Sequence, residues 1–408
     1  MIESPANRRP IRIAWVEEWM STLAREVLPY LSLRHEVTYV TTGDQVPQAR
    51  FERVIRAPRR DTMNLAGFEL SRRVNALYRD GLIDLALVWA SIGFGLRGVP
   101  FINMEGTSVY AEIGLFAARR PWHRRAGFLT GLVHYALPEM ICNRRAERVI
   151  VPSAALKRDV ARLHHRGDDQ VVVVPHGVEP RHLACYERQV PSERPRILYV
   201  GRLHYRKGIL DLVREFARRP EIEADFLIAG DGPDRGRIEW IAQRDPRLRV
   251  LGPVGREELE ALLTSTRIFV LPTFYEGFGL SLLEAMASGH ACAGYDIPVV
   301  REVLGDTGVL TPLGEPALLV EALARLAADP VAVAAHAARA HARARVFSWP
   351  EACANIESIV QETWRDVARR RAAARRPLEA RFPSRRQADP IREMRGSPDG
   401  TRGWMAPH

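Results

Sequence analysis

Residues 268–289 read IFVLPTFYEGFGLSLLEAMASG, a strand, a turn and a helix in one stretch. The apolar run Ile268–Leu271 has the composition of a buried strand, and Pro272 closes it. After a turn interrupted by glycine, a helix is predicted from about Leu280 to Ser288, with Gly289 as its stop signal. The first backbone amides of a helix have no acceptor within it, so this helix start predicts an anion site. These amides belong to Gly277, Phe278, Gly279 and Leu280.

Two glutamates flank the predicted anion site. Glu276 lies in the turn, and Glu284 lies about one helical turn into the helix. A carboxylate repels phosphate, but it accepts hydrogen bonds from neutral hydroxyl groups, which a sugar and a ribose offer. The alternative is that Glu276 is a surface acid near a helix dipole and that Glu284 is a solvated helix residue.

A second turn, residues 201–208 (GRLHYRKG), follows the predicted strand Arg196–Val200. Its glycines bracket Arg202 and Lys207, and an arginine fork beside a lysine point charge suits a diphosphate. The chain has 57 arginines and only two lysines, which makes a lysine in this turn informative. The other lysine, Lys157, falls in an ordinary helical pattern. A solvated basic loop is the alternative for the turn.

Short β-branched runs alternate with amphipathic helical patterns along the chain, which is typical of parallel βαβ architecture. Two α/β domains of the Rossmann-like, doubly wound kind are therefore predicted, facing each other across a cleft. Both turns follow strands of one predicted sheet, so a nucleotide diphosphate with an attached sugar is the expected ligand. The predicted strands are 11–16, 36–41, 82–89, 100–104, 148–151 and 171–174 in the first half, and 196–200, 225–229, 247–251, 267–271, 290–295 and 308–310 in the second.

Composition argues against several other classes of protein. Of the formal net charge of +10, seven units come from residues 369–408, so the body is nearly neutral and no nucleic-acid groove is implied. The four cysteines lack CxxC spacing, which argues against a zinc site or a disulfide framework. The longest apolar run, residues 85–96, is shorter than the roughly 20 residues that span a bilayer. With no secretory signal at the N-terminus, a cytoplasmic location is predicted.

Residues 148–345 resemble the donor-binding half of retaining glycosyltransferases with the GT-B fold, specifically glycosyltransferase family 4. The combination of several stretches carries the resemblance, together with two glutamates eight residues apart. The stretches are AERVIVPSAALKR (146–158), VVVVPHGV (171–178), LYVGRLHYRKG (198–208), IAGDGP (228–233), VLGPVGREEL (250–259) and residues 269–289.

The resemblance implies a role for each matching residue. Arg202 and Lys207 are similar to the pair that neutralises the donor diphosphate as it leaves. Glu284 is similar to the acid that holds the ribose hydroxyls, Glu276 to the acid at the donor sugar, and Arg256 lies where the family frames the base. The implied donor-binding set is Gly201, Arg202, Lys207, Arg256, Glu276, Gly277, Phe278, Gly279, Leu280 and Glu284.

The N-terminal half departs from the family pattern. Val16–Trp19 stands where the family has a Gly-Gly loop, and Glu105 stands where a histidine contacts the donor sugar. Glu105 could hydrogen-bond the sugar, activate an acceptor or belong to a local cap at Gly106-Thr107. His176 replaces an asparagine and is interpreted as a structural turn residue. The candidate catalytic residues are Arg202, Lys207, Glu276 and Glu105.

The predicted units combine pattern and resemblance. They are an N-terminal acceptor-side domain (1–178), a linker (179–195), a C-terminal donor-binding domain for a nucleotide sugar (196–346), a helix that crosses back to the N-terminal domain (347–370) and a basic, disordered tail (371–408).

The expected function is retaining transfer of a hexosyl-type group from a UDP or GDP sugar to a small-molecule acceptor, such as a natural product or a thiol metabolite. No cofactor is expected, and because no DxD motif follows a strand, no metal is expected either. The alternatives are a nucleotide-sugar epimerase or phosphorylase on the same fold, and a non-catalytic donor-binding partner. A lipid acceptor is not favoured: residues 119–137 could rest on anionic lipid, but a solvated loop before a packed helix is the preferred interpretation. The oligomeric state, the base, the sugar and the acceptor stay open.

Overall fold

The structure, a computed structural model, describes residues 9–59, 63–109, 111–112, 132–190 and 192–381. Two parallel β-sheets organise these residues. The first sheet contains β1 (Arg12–Glu17), β2 (Glu36–Thr41), β3 (Arg53–Arg56), β4 (Leu85–Trp89), β5 (Phe101–Met104), β6 (Arg148–Val151) and β7 (Val171–Val173). The second contains β8 (Arg196–Val200), β9 (Asp225–Ala229), β10 (Leu248–Gly252), β11 (Ile268–Leu271), β12 (Ala291–Tyr295) and β13 (Val309–Thr311).

Helices connect the strands of both sheets. They are α1 (Thr22–Leu31), α2 (Met63–Arg79), α3 (Leu137–Arg145), α4 (Ala154–His164), α5 (Pro180–Glu187), α6 (Ile209–Ala217), α7 (Arg235–Ala242), α8 (Arg256–Ser265), α9 (Leu280–Ala287), α10 (Pro298–Leu304), α11 (Pro316–Ala328), α12 (Pro330–Ala344) and α13 (Trp349–Arg381).

The strand orders are those of doubly wound sheets. The first runs β3-β2-β1-β4-β5-β6-β7 and the second β10-β9-β8-β11-β12-β13, which confirms the predicted fold class. In the second sheet the order reverses between β8 and β11, which are hydrogen-bonded neighbours. Ligands of such sheets bind beyond the carboxyl ends of the strands at this switch point. The turns after β8 and β11 are the two that the sequence singled out.

One strand, β3, was missed by the sequence prediction. Its four residues, RVIR, are mostly exposed, and it lies at the edge of the first sheet, paired only with β2 in the described part of the chain. A short, charged edge strand lacks the alternating apolar pattern that marks a buried strand, and such charges discourage pairing with other chains. The sequence pattern of a buried strand is missing because β3 is exposed at the edge of the sheet.

The long C-terminal helix joins the core of the first sheet. Trp349, Cys353, Ile356 and Val360 of α13 are buried in one cluster with residues of β1, β2 and α1. Gly177 permits this packing, because a Cβ atom there would lie 2.1 Å from the backbone nitrogen of Trp349.

Two of the predicted segments contain helix. The segment predicted as a linker (179–195) contains α5, which begins at Pro180, a residue favoured in a first helical turn. The tail predicted to be disordered from residue 371 is helical as far as Arg381, because its alanines and arginines favour helix without an apolar stripe. Residues 382–408 lie outside the described residues, as do residues 113–131, which include most of the stretch considered for lipid contact. Within the described ranges, no helix has the length and apolar character needed to cross a bilayer.

Candidate functional site

The two turns selected from the sequence lie side by side. The backbone amide of Phe274 donates to the carbonyl of Arg206 at 3.0 Å, which joins the turn after β11 to the turn after β8. Gly208 has φ of +66°, and a Cβ atom there would lie 2.1 Å from the carbonyl oxygen of Pro272. Glycine is therefore required where the turns meet.

A lysine–glutamate ion pair links the functional side chains of these turns. Lys207 Nζ contacts Glu276 Oε2, and the two side chains are only 13% and 17% exposed. Arg202, at the start of the same turn, is exposed, and its carbonyl accepts a hydrogen bond from the Tyr199 hydroxyl at 2.8 Å. In the free protein Lys207 thus neutralises Glu276, while Arg202 is exposed to solvent.

The glycine-rich loop before α9 contacts both domains. Gly279 has φ of +92° and immediately precedes α9, whose first amides have no acceptor within the helix. Ser153 Oγ, at the start of α4, donates to the carbonyl of Gly277 at 2.8 Å. A Cβ atom on Gly277 would lie 1.7 Å from the carbonyl oxygen of Gly106, so the N-terminal domain closes directly on this loop.

Glu284 lies on α9 in a half-buried position close to other charges. Burial, and to a smaller extent the carboxylate of Glu179, raise the pKa of Glu284 to about 7, although Arg181 and Arg25 act in the opposite direction. Such a carboxyl group is poised to accept hydrogen bonds, because solvent does not already fill its surroundings.

Three arginines converge on Glu179, beside Glu284. Arg25 donates to Glu179 Oε1 at 2.8 Å, and Arg181 to Oε2 at 2.9 Å. Arg256, at the first position of α8, lies 3.9 Å from Oε2 and is 54% exposed. Arg25 belongs to the N-terminal domain, so this cluster also joins the two halves.

Glu105 follows β5 and faces a cavity of about 240 Å³ between the two domains. Its side chain is almost completely buried, and burial raises the pKa of Glu105 above its usual range. The cavity therefore brings Glu105 to the same space as Glu276. The lining residues are Trp89, Ala90, Glu105, Gly106, Thr107, Arg206, Tyr275 and Glu276.

The sequence prediction missed Arg206, Trp89 and Tyr275. Arg206 Nη1 forms an ion pair with Glu112 of the N-terminal domain, and the Tyr275 hydroxyl donates to Asp159 at 3.2 Å. Arg206 adjoins Lys207 in the basic turn, and this position was the sequence signal that could have identified it as a site residue. The other two could be recognised only by their positions beside Glu105 and Glu276.

The departures from the family pattern have structural explanations. Glu17, in place of the Gly-Gly loop, is buried and accepts hydrogen bonds from the hydroxyls of Tyr39 and Ser21, both at 2.7 Å. His176 packs edge-on against Phe278, with ring centroids 5.1 Å apart, and burial lowers the pKa of His176 to about 4. A neutral imidazole at this position supports the glycine-rich loop.

Comparisons with known proteins agree with this architecture. The model described as Glycosyltransferase Family 4 matches residues 20–182, and the one described as Glycosyl transferases group 1 matches residues 194–329. A glycogen synthase of Mycobacterium tuberculosis is 29% identical over 235 residues, which cover 55% of this chain and 56% of that protein. An alpha-D-kanosaminyltransferase of Streptomyces kanamyceticus is 31% identical over 161 residues, covering 37% and 41%. The chain thus spans about half the length of the curated relatives it matches.

A solved structure extends the agreement to the whole fold. HepE of Anabaena, in complex with UDP and glucose, is similar with a TM-score of 0.65 at 17% identity, covering 86% of this chain and 99% of that one. This likeness shows the fold, and it confirms the expectation of a GT-B architecture.

Proposed function

Because the chain belongs to the group 1 and family 4 glycosyltransferases, we propose that it transfers a hexosyl group, with retention, from a nucleotide-diphosphate sugar to a small-molecule acceptor. The observation that carries the proposal is the Lys207–Glu276 ion pair beside the free amides of the loop before α9. This pair presents a cation for phosphate and an acceptor for hydroxyls at one point of the cleft.

The donor diphosphate is proposed to bind between Arg202, Lys207 and the amides of residues 277–280. As the bond from sugar to phosphate breaks, negative charge develops on the leaving phosphate, and fixed donors stabilise it. One such preorganised donor contributes about 3 kcal/mol, or roughly 10²–10³-fold in rate. Lys207 must turn from Glu276 to the phosphate, and this exchange frees Glu276 to accept hydrogen bonds from the sugar.

Glu284 is proposed to hold the ribose hydroxyls, with Arg256 near the base. Burial raises the pKa of Glu284 to about 7, so its ionised form is poorly stabilised in the free protein. Ribose hydroxyls that donate hydrogen bonds to this ionised form stabilise it, and this favours binding of the nucleotide. The arginine cluster around Glu179 lies beside it and supplies a positive field for the nucleotide.

The configuration at the anomeric carbon of the sugar is retained if the acceptor attacks from the same face that the phosphate leaves. The leaving phosphate then takes the acceptor's proton on that face. A retaining hydrolase instead uses two carboxyl groups about 5 Å apart on either side of the scissile bond. Of the acids at this cavity, Glu105 is almost completely buried, and Glu276 is assigned above to the hydroxyls of the donor sugar. We therefore assign neither of them the role of a covalent nucleophile.

The donor is proposed to be a UDP or GDP sugar, used without a metal ion. The complex of HepE with UDP and glucose supports UDP for this fold. The acceptor is proposed to be a small molecule, a natural product or a thiol metabolite, and not a lipid. A cavity of about 240 Å³ accommodates a group of monosaccharide size.

The first experiment measures binding of UDP, GDP and ADP by thermal shift, since a ligand that binds only the folded state raises its stability. Lys207→Ala is expected to weaken binding of the preferred diphosphate at least tenfold and to lower turnover by two orders of magnitude or more. The chain's other lysine provides a matched control. Lys157 pairs with Asp168 at 3.0 Å on α4, so Lys157→Ala should change neither property.

Turnover assays then separate the remaining possibilities. Donor incubated alone should stay unchanged, because an isomer would indicate an epimerase. Phosphate should not replace the acceptor, as it would in a phosphorylase. Diphosphate binding without transfer to any acceptor tested would indicate a non-catalytic partner, and loss of turnover in a chelator would contradict metal independence.

A further inference from the structure

The N-terminal wall of the cavity contains a carboxyl group with an unusual environment. Glu105 is 2% exposed and lies directly after β5, at the carboxyl edge of the first sheet. Trp89 closes the wall beside it, since a Cβ atom on Gly106 would lie 3.0 Å from the indole ring. The opposite wall contains Glu276 and Arg206. Glu105 therefore has protein on one side and the sugar-sized cavity on the other.

A second buried carboxyl group, Glu139 of α3, lies behind Glu105. It accepts hydrogen bonds from the Ser108 hydroxyl and the Val109 amide, both at 2.7 Å, and His164 Nε2 lies 3.1 Å from it. These partners surround Glu139 with hydrogen-bonding groups. Glu105 has longer contacts, because the side-chain amides of Asn103 and Asn143 each lie 3.3 Å from its Oε2.

This arrangement favours the neutral form of Glu105. Burial raises its pKa, and the charge of Glu139 raises it further, whereas hydrogen bonds from Asn143, Asn103 and the Thr107 backbone act in the opposite direction. The cations across the cavity have partners of their own in the free protein: Arg206 pairs with Glu112, and Lys207 with Glu276. The titratable and charged groups around Glu105 are Glu139, Cys142 and His164 behind it, and Arg206, Tyr275 and Glu276 across the cavity.

On the basis of the function proposed above, we propose that Glu105 keeps its proton and donates a hydrogen bond to a hydroxyl of the transferred sugar, which makes that sugar an uncharged hexosyl group and not an amino sugar. Glu139 is a positioning residue that keeps Glu105 in this state. A sugar hydroxyl can accept from Glu105 while another donates to Glu276, whereas two ionised carboxylates facing one small cavity would repel each other. An ammonium group would instead require Glu105 to ionise.

The test compares Glu105→Gln with Glu105→Ala, because glutamine retains a donor and cannot ionise. With a neutral hexosyl donor, Glu105→Ala is expected to lower kcat/KM about 30-fold. Glu105→Gln should recover most of that loss, to within about fivefold of the native enzyme. The native kcat/KM should fall at alkaline pH as Glu105 ionises, and this fall should be missing in Glu105→Gln.

Glu139→Gln tests the positioning role by a readout that a structural defect does not reproduce. Removing the charge behind Glu105 should let it ionise more easily, so the alkaline fall in kcat/KM should move to lower pH. A uniform loss of rate at every pH, with the fall unmoved, would overturn this role.

Two results would overturn the assignment of Glu105 itself. One is a Glu105→Gln enzyme as slow as Glu105→Ala, which would mean that a negative charge is needed. The other is a preference of ten-fold or more for a donor whose sugar carries an ammonium group. UDP binding measured by calorimetry separates these results from failure of the proposed function. UDP lacks the sugar, so its Kd for the Glu105 variants should equal that for the native protein. The Kd of UDP for Lys207→Ala should be higher.

Discussion

Replacing Glu284 by glutamine is expected to stabilise the free protein at pH 8 while weakening its hold on the nucleotide. Burial raises the pKa of this carboxyl group from about 4.5 to about 7 in the folded protein. In the unfolded chain it ionises near its ordinary value. The folded protein therefore loses stability as pH rises from about 4.5 to 7, and the loss is complete above that range.

The size of the effect follows from the pKa shift. Each unit corresponds to about 1.4 kcal/mol, and the position is half-buried, so the cost of ionised Glu284 is about 2–3 kcal/mol at pH 8. Glutamine does not ionise and avoids this cost. Glu284→Gln should therefore unfold at a higher urea concentration than the native protein at pH 8 and at a similar one at pH 4.5.

The same substitution should weaken binding of the nucleotide. A hydrogen bond to a charged acceptor contributes about 1.5–3 kcal/mol, so loss of the carboxylate should raise the Kd for UDP about 10–100-fold by calorimetry. Glu223→Gln, the same substitution at an exposed position, is the control for both measurements. A Glu284→Gln protein no more stable than the native one at pH 8, or equally stabilised at pH 4.5, would refute the reasoning.

Three further substitutions test the contacts between and within the domains. Gly277→Ala places a Cβ atom 1.7 Å from the Gly106 carbonyl oxygen, so turnover should fall about 100-fold while the melting temperature changes little; a near-native rate would mean that closure at this point is unnecessary. Glu302→Ala removes the acceptor for the Ala154 amide at the start of α4 and should lower the unfolding free energy in urea by about 1–2 kcal/mol, with Glu302→Gln closer to native. Arg247→Met leaves buried carbonyls and a carboxylate without their donor. It should lower the unfolding free energy in urea by about 3 kcal/mol or more. A smaller loss would show that water replaces the guanidinium.

Much of the fold was accessible from the sequence, because buried parallel strands are continuous apolar runs. The strand at residues 268–271 and its neighbours were predicted nearly to their observed bounds. The exposed edge strand Arg53–Arg56 and the helix Pro180–Glu187 were not, since neither has a strong apolar pattern over enough residues. The last turns of α13 were missed because alanine and arginine form helix by propensity alone.

The donor side of the site was accessible for a related reason. The carboxyl ends of neighbouring parallel strands meet at one edge, so the turns at Lys207 and Glu276 had to be close once both strands were assigned to one sheet. The scarcity of lysine pointed in the same direction. What the sequence did not predict is that these two side chains bind each other in the free protein, because the prediction gave each of them a different part of the donor.

The other wall of the cavity depends on residues that no local pattern connects. Glu105 resembles any loop acid in the sequence, and its pKa is raised by burial and then by the charge of Glu139, which lies 34 positions away on α3. The two residues come close together only when α3 packs against the end of β5. The same holds for Glu17, whose partner Tyr39 comes from the neighbouring strand. Phosphate recognition by backbone amides is a local property of a turn and can be predicted from sequence, whereas the choice of sugar rests on buried side chains brought together by the tertiary fold. Specificity within this fold should therefore change through such buried pairs while the donor turns stay the same.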